Sequence, residues 1–195
     1  MPAVYQGEST LSPELSSLTN DVAEILISEE AIQQRVAELG KRITLDFAGS
    51  EVLMIAVLKG ALLFLADLVR HVNLPVAMDF LAVSSYGAGT TSSGVVRILK
   101  DLDEPIEGRN VMIVEDIVDS GRTLDYLLRM LRQRRPSTLH VCTLLDKRER
   151  REINVPIDYV GFEVPDEFVV GYGLDFAEYY RQLPFIGVLK PEIYQ

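Results

Sequence analysis

Apolar residues in this chain gather into short continuous blocks, set apart by longer stretches of mixed character. "EVLMIAVL" at 51–58 has almost no polar alternation, the mark of a strand covered on both faces. "NVMIVED" at 110–116 and "TLHVCTLLDK" at 138–147 read as strands of the same kind. Other stretches repeat their apolar positions at helical intervals. "EEAIQQRVAELGKRITLDF" at 29–47 is one, with Ser28 as N-cap and Glu29 and Glu30 in the first turn. "ALLFLADLVRHV" at 61–72 and "RTLDYLLRMLRQRRP" at 122–136 are two more, the second stopped by Pro136. Further strands are read at "DVAEILI", "VAMDFLAVSSY", "VVRILKDL", "IDYVGFEV" and "FVVGYG". Buried strands alternating with helices predict an α/β fold, a mostly parallel central sheet covered by helices on both faces. Such sheets bind ligands beyond the carboxyl ends of their strands. Residues 1–20 are polar, scattered with turn formers, and read as a loose arm.

Composition narrows the function. The 195 residues carry a formal net charge of −10, and 48% are hydrophobic. That is one domain with a sizeable core, and it is not a disordered composition. The acidic balance argues against a general nucleic-acid or membrane-surface binder, because neutralising phosphates needs an excess of Lys and Arg. The most apolar run, Val52–Val69, is broken by Lys59-Gly60 and Asp67, so strand, loop and helix fit it better than a membrane span. The N-terminus lacks a basic and apolar leader, so a cytoplasmic location is expected. The single cysteine, Cys142, falls in a strand and has no partner for an intrachain disulfide.

The chemistry gathers after the strands. "VMIVEDIVDSGRTL" at 111–124 places Glu115, Asp116 and Asp119 within five positions, then turns through Ser120-Gly121-Arg122-Thr123 into a helix. Three such acids repel one another unless a cation or a ligand with vicinal hydroxyls stands between them. A helix start offers unpaired N–H groups to a phosphate, and Gly121 lets backbone approach closely. The stretch therefore reads as a sugar-phosphate site; a plain strand–helix turn with solvated acids is the alternative. It is not a G-x-x-x-x-G-K-[ST] loop, and "GAGTTSSG" at 87–94 lacks dinucleotide-binding spacing.

The whole stretch resembles the 5-phosphoribosyl-1-diphosphate (PRPP) motif of type I phosphoribosyltransferases, in which an acidic pair closes an apolar strand and a D-[ST]-G-x-T turn follows. "LKGA" at 58–61 resembles the pyrophosphate loop of the hypoxanthine–guanine members, where the peptide before the lysine is often cis. "SSYG" at 84–87 resembles their mobile lid, and "LLDKRERR" carries Lys147 at the place of their purine-binding lysine. "PDEFVVGYGLDFAEYYRQLP" at 165–184 matches their C-terminal hood. The compact length and short arm resemble bacterial members.

That resemblance implies the type I phosphoribosyltransferase fold in one domain over residues 1–195. Its core is about 20–160, and residues 1–20 and 161–195 form a hood. It implies purine salvage: hypoxanthine or guanine reacts with PRPP to give IMP or GMP and pyrophosphate. Magnesium is the implied cofactor, with Glu115 and Asp116 on one metal and Asp175 on a second, directly or through water. Glu115 and Asp116 would hold the ribose hydroxyls, and Ser120, Gly121, Arg122 and Thr123 the 5′-phosphate. Lys59, Gly60 and Arg181 would receive pyrophosphate. Asp119 would be the general base at purine N7, with a turn-capping role as its alternative. Lys147 would donate to the 6-oxo group, Phe168 stack on the base and Val169 meet its two-position edge. Without the family, Phe168 and Val169 read as core strand residues, and Asp175 as the N-cap of a helix through "FAEYY". Ser85 and Tyr86 fall on the lid, whose closure would exclude water. A homodimer or homotetramer is implied, with the apolar helix after Lys59 as a candidate interface. Two rival readings stay open: a xanthine-preferring transferase, and a PRPP-sensing RNA-binding regulator on the same fold.

Overall fold

Residues 18–85 and 96–194 are described by the computed structural model; the arm to residue 17 and the tip of the 84–94 loop lie outside the described residues. The apolar blocks become strands of one six-stranded sheet: β2 (Val52–Leu58), β3 (Val76–Ser85), β4 (Val96–Lys100), β5 (Asn110–Val118), β6 (Thr138–Asp146) and β7 (Tyr159–Glu163). Their order is β4-β3-β2-β5-β6-β7, parallel throughout except for the antiparallel edge strand β4.

Helices cover both faces, as the patterning predicts. On one face α1 (Glu29–Asp46) and α2 (Leu62–Val69) set Ile32, Val36, Ile43, Phe64 and Leu68 against Met54, Ala56, Met112 and Val114. On the other, α3 (Arg122–Gln133) packs Leu124, Leu127, Leu128 and Leu131 on Leu53, Ile55, Val111 and Ile113. Alternate residues of β2 and β5 thus serve opposite cores, which is why their sequences show no polar alternation. Ser28 caps α1 by accepting from the Ala31 N–H at 3.3 Å. Cys142 is fully buried, and burial pushes its thiol pKa up. No helix among the described residues is long and apolar enough to cross a membrane.

A second sheet has the order β1-β9-β8, built from β1 (Val22–Ile27), β9 (Ile186–Leu189) and β8 (Val169–Val170). It joins the two ends of the described chain, and a last turn of helix, α4 (Pro191–Tyr194), follows.

Four elements differ from expectation. α2 stops at Val69 rather than Val72. The strand read at "FVVGYG" is only two residues, because Gly171, Tyr172 and Gly173 have φ of 101°, 48° and 103° and turn the chain. β9 was not anticipated. β5 does not end at the acid pair: Ile117 and Val118 continue its ladder with Leu145 and Asp146 of β6. Its pairing with β2 ends at Ala56–Val114, so Glu115 and Asp116 stand where β5 keeps only one neighbour.

Candidate active site

The chain passes from β2 outward to β3 on one side and later returns to β5 on the other. Their carboxyl ends therefore flank a topological switch point, the place where open α/β sheets take ligands. The Lys59 loop leaves β2 here and the acid pair sits on β5. A Cβ on Gly60 would stand 1.6 Å from Asp116 Oδ2, so only glycine admits the carboxylate at that distance. The Leu58–Lys59 peptide is cis.

Glu115 is 6% exposed. Burial, then the neighbouring Asp116, pushes its pKa well above the ordinary carboxylate range. Burial also pushes Asp116 up to about 6, although the Ile117 N–H donates to its Oδ1 at 2.8 Å and Arg181 pulls it down. A buried acid beside a half-buried one, with little local compensation, forms a site that favours positive charge or hydroxyl donors.

Beyond them the chain lines a cleft of about 200 Å³ with Glu115, Asp116, Asp119, Ser120, Gly121 and Thr123. Gly121 has φ +83°, and a Cβ there would meet the Ile153 carbonyl at 2.5 Å. The Ser120 carbonyl accepts from the N–H groups of Glu152 and Ile153, both at 3.0 Å, so the loop after β6 braces this turn. The Arg122 side chain is held outward by Glu152, Nε to Oε2 at 2.8 Å, which leaves only its backbone for the turn.

Lys147 is tied to the same region, its backbone N–H donating to Val118 at 3.0 Å. Its side chain is buried, which lowers its pKa, against the opposing pull of Asp119 and then Asp166. Asp166 Oδ1 stands 3.8 Å from Lys147 Nζ and 3.2 Å from Arg150 Nη1. Arg150 Nε is also 3.2 Å from Asp119 Oδ1, an ion pair without hydrogen-bond alignment. Neither Arg150 nor Asp166 stood out in the sequence; their signal was a run of charges indistinguishable from a solvated surface.

The hood closes the other side. A Cβ on Gly173 would lie 2.1 Å from the Gly60 carbonyl, so the "GYG" turn rests directly on the Lys59 loop. Arg181 Nη1 donates to the Gly173 carbonyl at 2.7 Å, and its Nη2 pairs with Asp175 at 2.8 Å. Asp175 does not start a helix. Its Oδ2 accepts from the Glu178 N–H at 3.0 Å, but Ala177, Glu178 and Tyr180 have positive φ and form a turn instead. Phe168 is 37% exposed, one face stacked on Tyr194 at 4.8 Å and its ring edge-to-face with Phe176. Val169 is buried in β8, paired with Val188. Ser85 ends β3, while Tyr86 lies outside the described residues. A larger cleft, about 460 Å³, lies around Asn110, Thr138 and His140 at the opposite ends of β5 and β6, away from all of these loops.

Fold and site together define a phosphoribosyltransferase, and the chain belongs to that family: the phosphoribosyl transferase domain matches residues 22–177. Within it, the chain is 53% identical over 178 residues to the hypoxanthine-guanine phosphoribosyltransferase of Bacillus subtilis, covering 91% of this chain and 99% of that one. It is 52% identical over 178 residues to a bifunctional TilS/HprT protein of Listeria monocytogenes, covering 91% of this chain but only 28% of that protein's length. A crystal structure of a hypoxanthine phosphoribosyltransferase from Staphylococcus aureus superposes with a TM-score of 0.89 at 45% identity, covering 92% and 97% of the two chains.

Proposed function

We propose that this protein transfers the 5-phosphoribosyl group of PRPP to hypoxanthine or guanine, giving IMP or GMP and pyrophosphate. One observation carries the reading. The acid pair, the Ser120–Thr123 turn, the Lys59 loop and Lys147 converge on one switch point, although they lie far apart in sequence.

The roles follow from chemistry. Glu115 and Asp116 face the ribose hydroxyls. The N–H groups at Gly121–Thr123, with the Ser120 and Thr123 hydroxyls, take the 5′-phosphate at the start of α3. Lys59, the backbone at Gly60 and Arg181 take pyrophosphate. Lys147 donates to the purine 6-oxo group; an ammonium has donors only, so adenine's amino group offers it no acceptor. Phe168 packs its uncovered surface on the base, and the Val169 backbone meets the two-position edge. Asp119 accepts the N7 proton as N9 attacks the anomeric carbon. Ser85 and Tyr86 belong to a loop that excludes water from that cation-like carbon.

Magnesium fits this donor set in a limited way. Among the described residues no three acidic, histidine or cysteine side chains form a metal cluster. Magnesium commonly takes one or two carboxylates and fills its other positions with substrate oxygens and water. Glu115 and Asp116, whose burial disfavours their negative charge, are suited to such a role, with Asp175 as the hood-side carboxylate. Bound there, the ion would neutralise charge on the leaving pyrophosphate.

Core and hood act as one domain in this reading, in the cytoplasm and without nucleic acid or membrane as partner. We further propose a homodimer or homotetramer. Leu62 and Leu63 of α2, exposed by 44% and 38% beside the Lys59 loop, support that surface. The function is tested by an absorbance assay with PRPP, magnesium and each purine. Turnover of hypoxanthine and guanine, with adenine silent, is expected. Preference for xanthine would reassign the substrate, and RNA retention without any turnover would replace the enzyme by a regulator.

A further inference from the structure

The two cations that the proposed function gives to pyrophosphate are not free in this structure. Lys59 Nζ lies 2.6 Å from Glu178 Oε2, and Arg181 Nη2 lies 3.6 Å from the same oxygen. Glu178 sits 119 residues from Lys59 and three from Arg181, so its carboxylate joins the β2 loop to the hood. The turn that presents it is unusual. Ala177, Glu178 and Tyr180 have φ of 50°, 72° and 76°, a region L-residues rarely adopt. A Phe176–Tyr179 bridge and the Glu178 N–H bond to Asp175 Oδ2 fix it there. Conformations of this kind persist where surrounding contacts enforce them, and they gather at ligand clamps.

We propose that Glu178 is a resident anion of the pyrophosphate subsite: in the free protein it occupies Lys59 and shares Arg181 with Asp175, the closer partner, and it must yield Lys59 when the diphosphate of PRPP arrives. The inference rests on the transferase reading of those two cations. Its consequence is a lowered affinity for pyrophosphate. A ligand that binds only the state with Lys59 released has its apparent affinity reduced by the fraction of that state. Glu178 thereby keeps the leaving group from being held too tightly. Both Glu178 and Lys59 are 65% exposed, so the pair is worth what an exposed ion pair is worth, a factor of roughly two to five in a binding constant.

The test is calorimetric titration of magnesium pyrophosphate into the whole chain, with Glu178→Gln, Glu178→Ala and Glu51→Gln beside the unsubstituted protein. Glu51 precedes β2 at its opposite end, roughly 23 Å from Lys59 at about 3.3 Å per strand residue, well beyond the screening length at physiological salt. Both Glu178 variants should bind pyrophosphate about two- to five-fold more tightly and show a lower KM for PRPP without a higher kcat, while Glu51→Gln matches the unsubstituted protein. Unchanged or weaker binding in the Glu178 variants, with hypoxanthine turnover intact in the unsubstituted protein, would overturn the proposal and make Glu178 a support for Lys59. Equal tightening in Glu51→Gln would reduce the effect to net charge and overturn it as well. Absence of turnover in the unsubstituted protein strikes the transferase reading itself.

Discussion

At the scale of single residues, the candidate site mixes charges shielded from water, such as Glu115 and Lys147, with exposed ones such as Lys59. Asp116, half-buried, stands between them. Its carboxyl is raised from an ordinary 3.8 to about 6, chiefly by burial, so the folded chain holds that proton more tightly than the unfolded chain does. Stability is therefore lost as pH rises from about 4 to about 6, and the loss is complete above that window. Asp116→Asn, melted in EDTA, should be more stable at pH 8 by about 2 kcal/mol, roughly 4–8 °C in Tm, and no more stable at pH 3.5. Equal melting at pH 8 would contradict the burial argument; activity should fall in the same variant. Asp119→Asn tests a different property. It should lower kcat by about 10²–10⁴-fold while PRPP affinity, read by titration, shifts little. Equal losses in both would leave Asp119 a binding or turn-capping residue. Lys147→Ala should weaken base binding and narrow the preference for hypoxanthine over adenine in competing-substrate assays. Asp116 and Asp119 were legible in the sequence as acids clustered at the far end of an apolar strand, whereas Lys147 was marked only by the family resemblance. Glu178 was not legible: its partner is 119 positions away, and its turn uses positive φ at residues other than glycine.

At the scale of elements, the informative contact is the hood turn on the β2 loop. Gly173 packs against the Gly60 carbonyl, and Gly60 against the Asp116 carboxylate, so three segments from distant parts of the chain meet where only glycines leave room. A methyl at Gly173 has no room there, and its φ of 103° disfavours any L side chain. Gly173→Ala should therefore cost on the order of 1–3 kcal/mol in chemical denaturation and raise KM for PRPP more than KM for the base. An effect confined to stability would separate the turn from the pyrophosphate loop. The strands and long helices were readable because their apolar periods are long enough to choose between patterns. β9 is four residues and β8 two, too short for a period; β9 is fixed by pairing with β1, and β8 by pairing with β9. The expected helix after Asp175 fails for a related reason. "FAEYY" has helical composition, but Asp175 is engaged by Arg181, and the chain turns through positive φ instead.

At the scale of the molecule, two apolar cores on opposite faces of the six-stranded sheet hold β2 and β5 rigidly side by side. The fold class was legible from this alternation, and the location of the site followed from the strand order, which no local pattern contains. A net charge of −10 is compatible with the proposed pyrophosphate subsite because that role needs only the local cations Lys59 and Arg181, not a basic surface. The proposed function requires that the loops around this site form a single transferase centre. The most direct measurement is the stoichiometry of IMP and pyrophosphate formed from hypoxanthine and PRPP, with magnesium and again with EDTA. One pyrophosphate per IMP with magnesium, and neither product with EDTA, is the predicted result. PRPP breakdown without IMP, or no reaction with any 6-oxopurine, would contradict it.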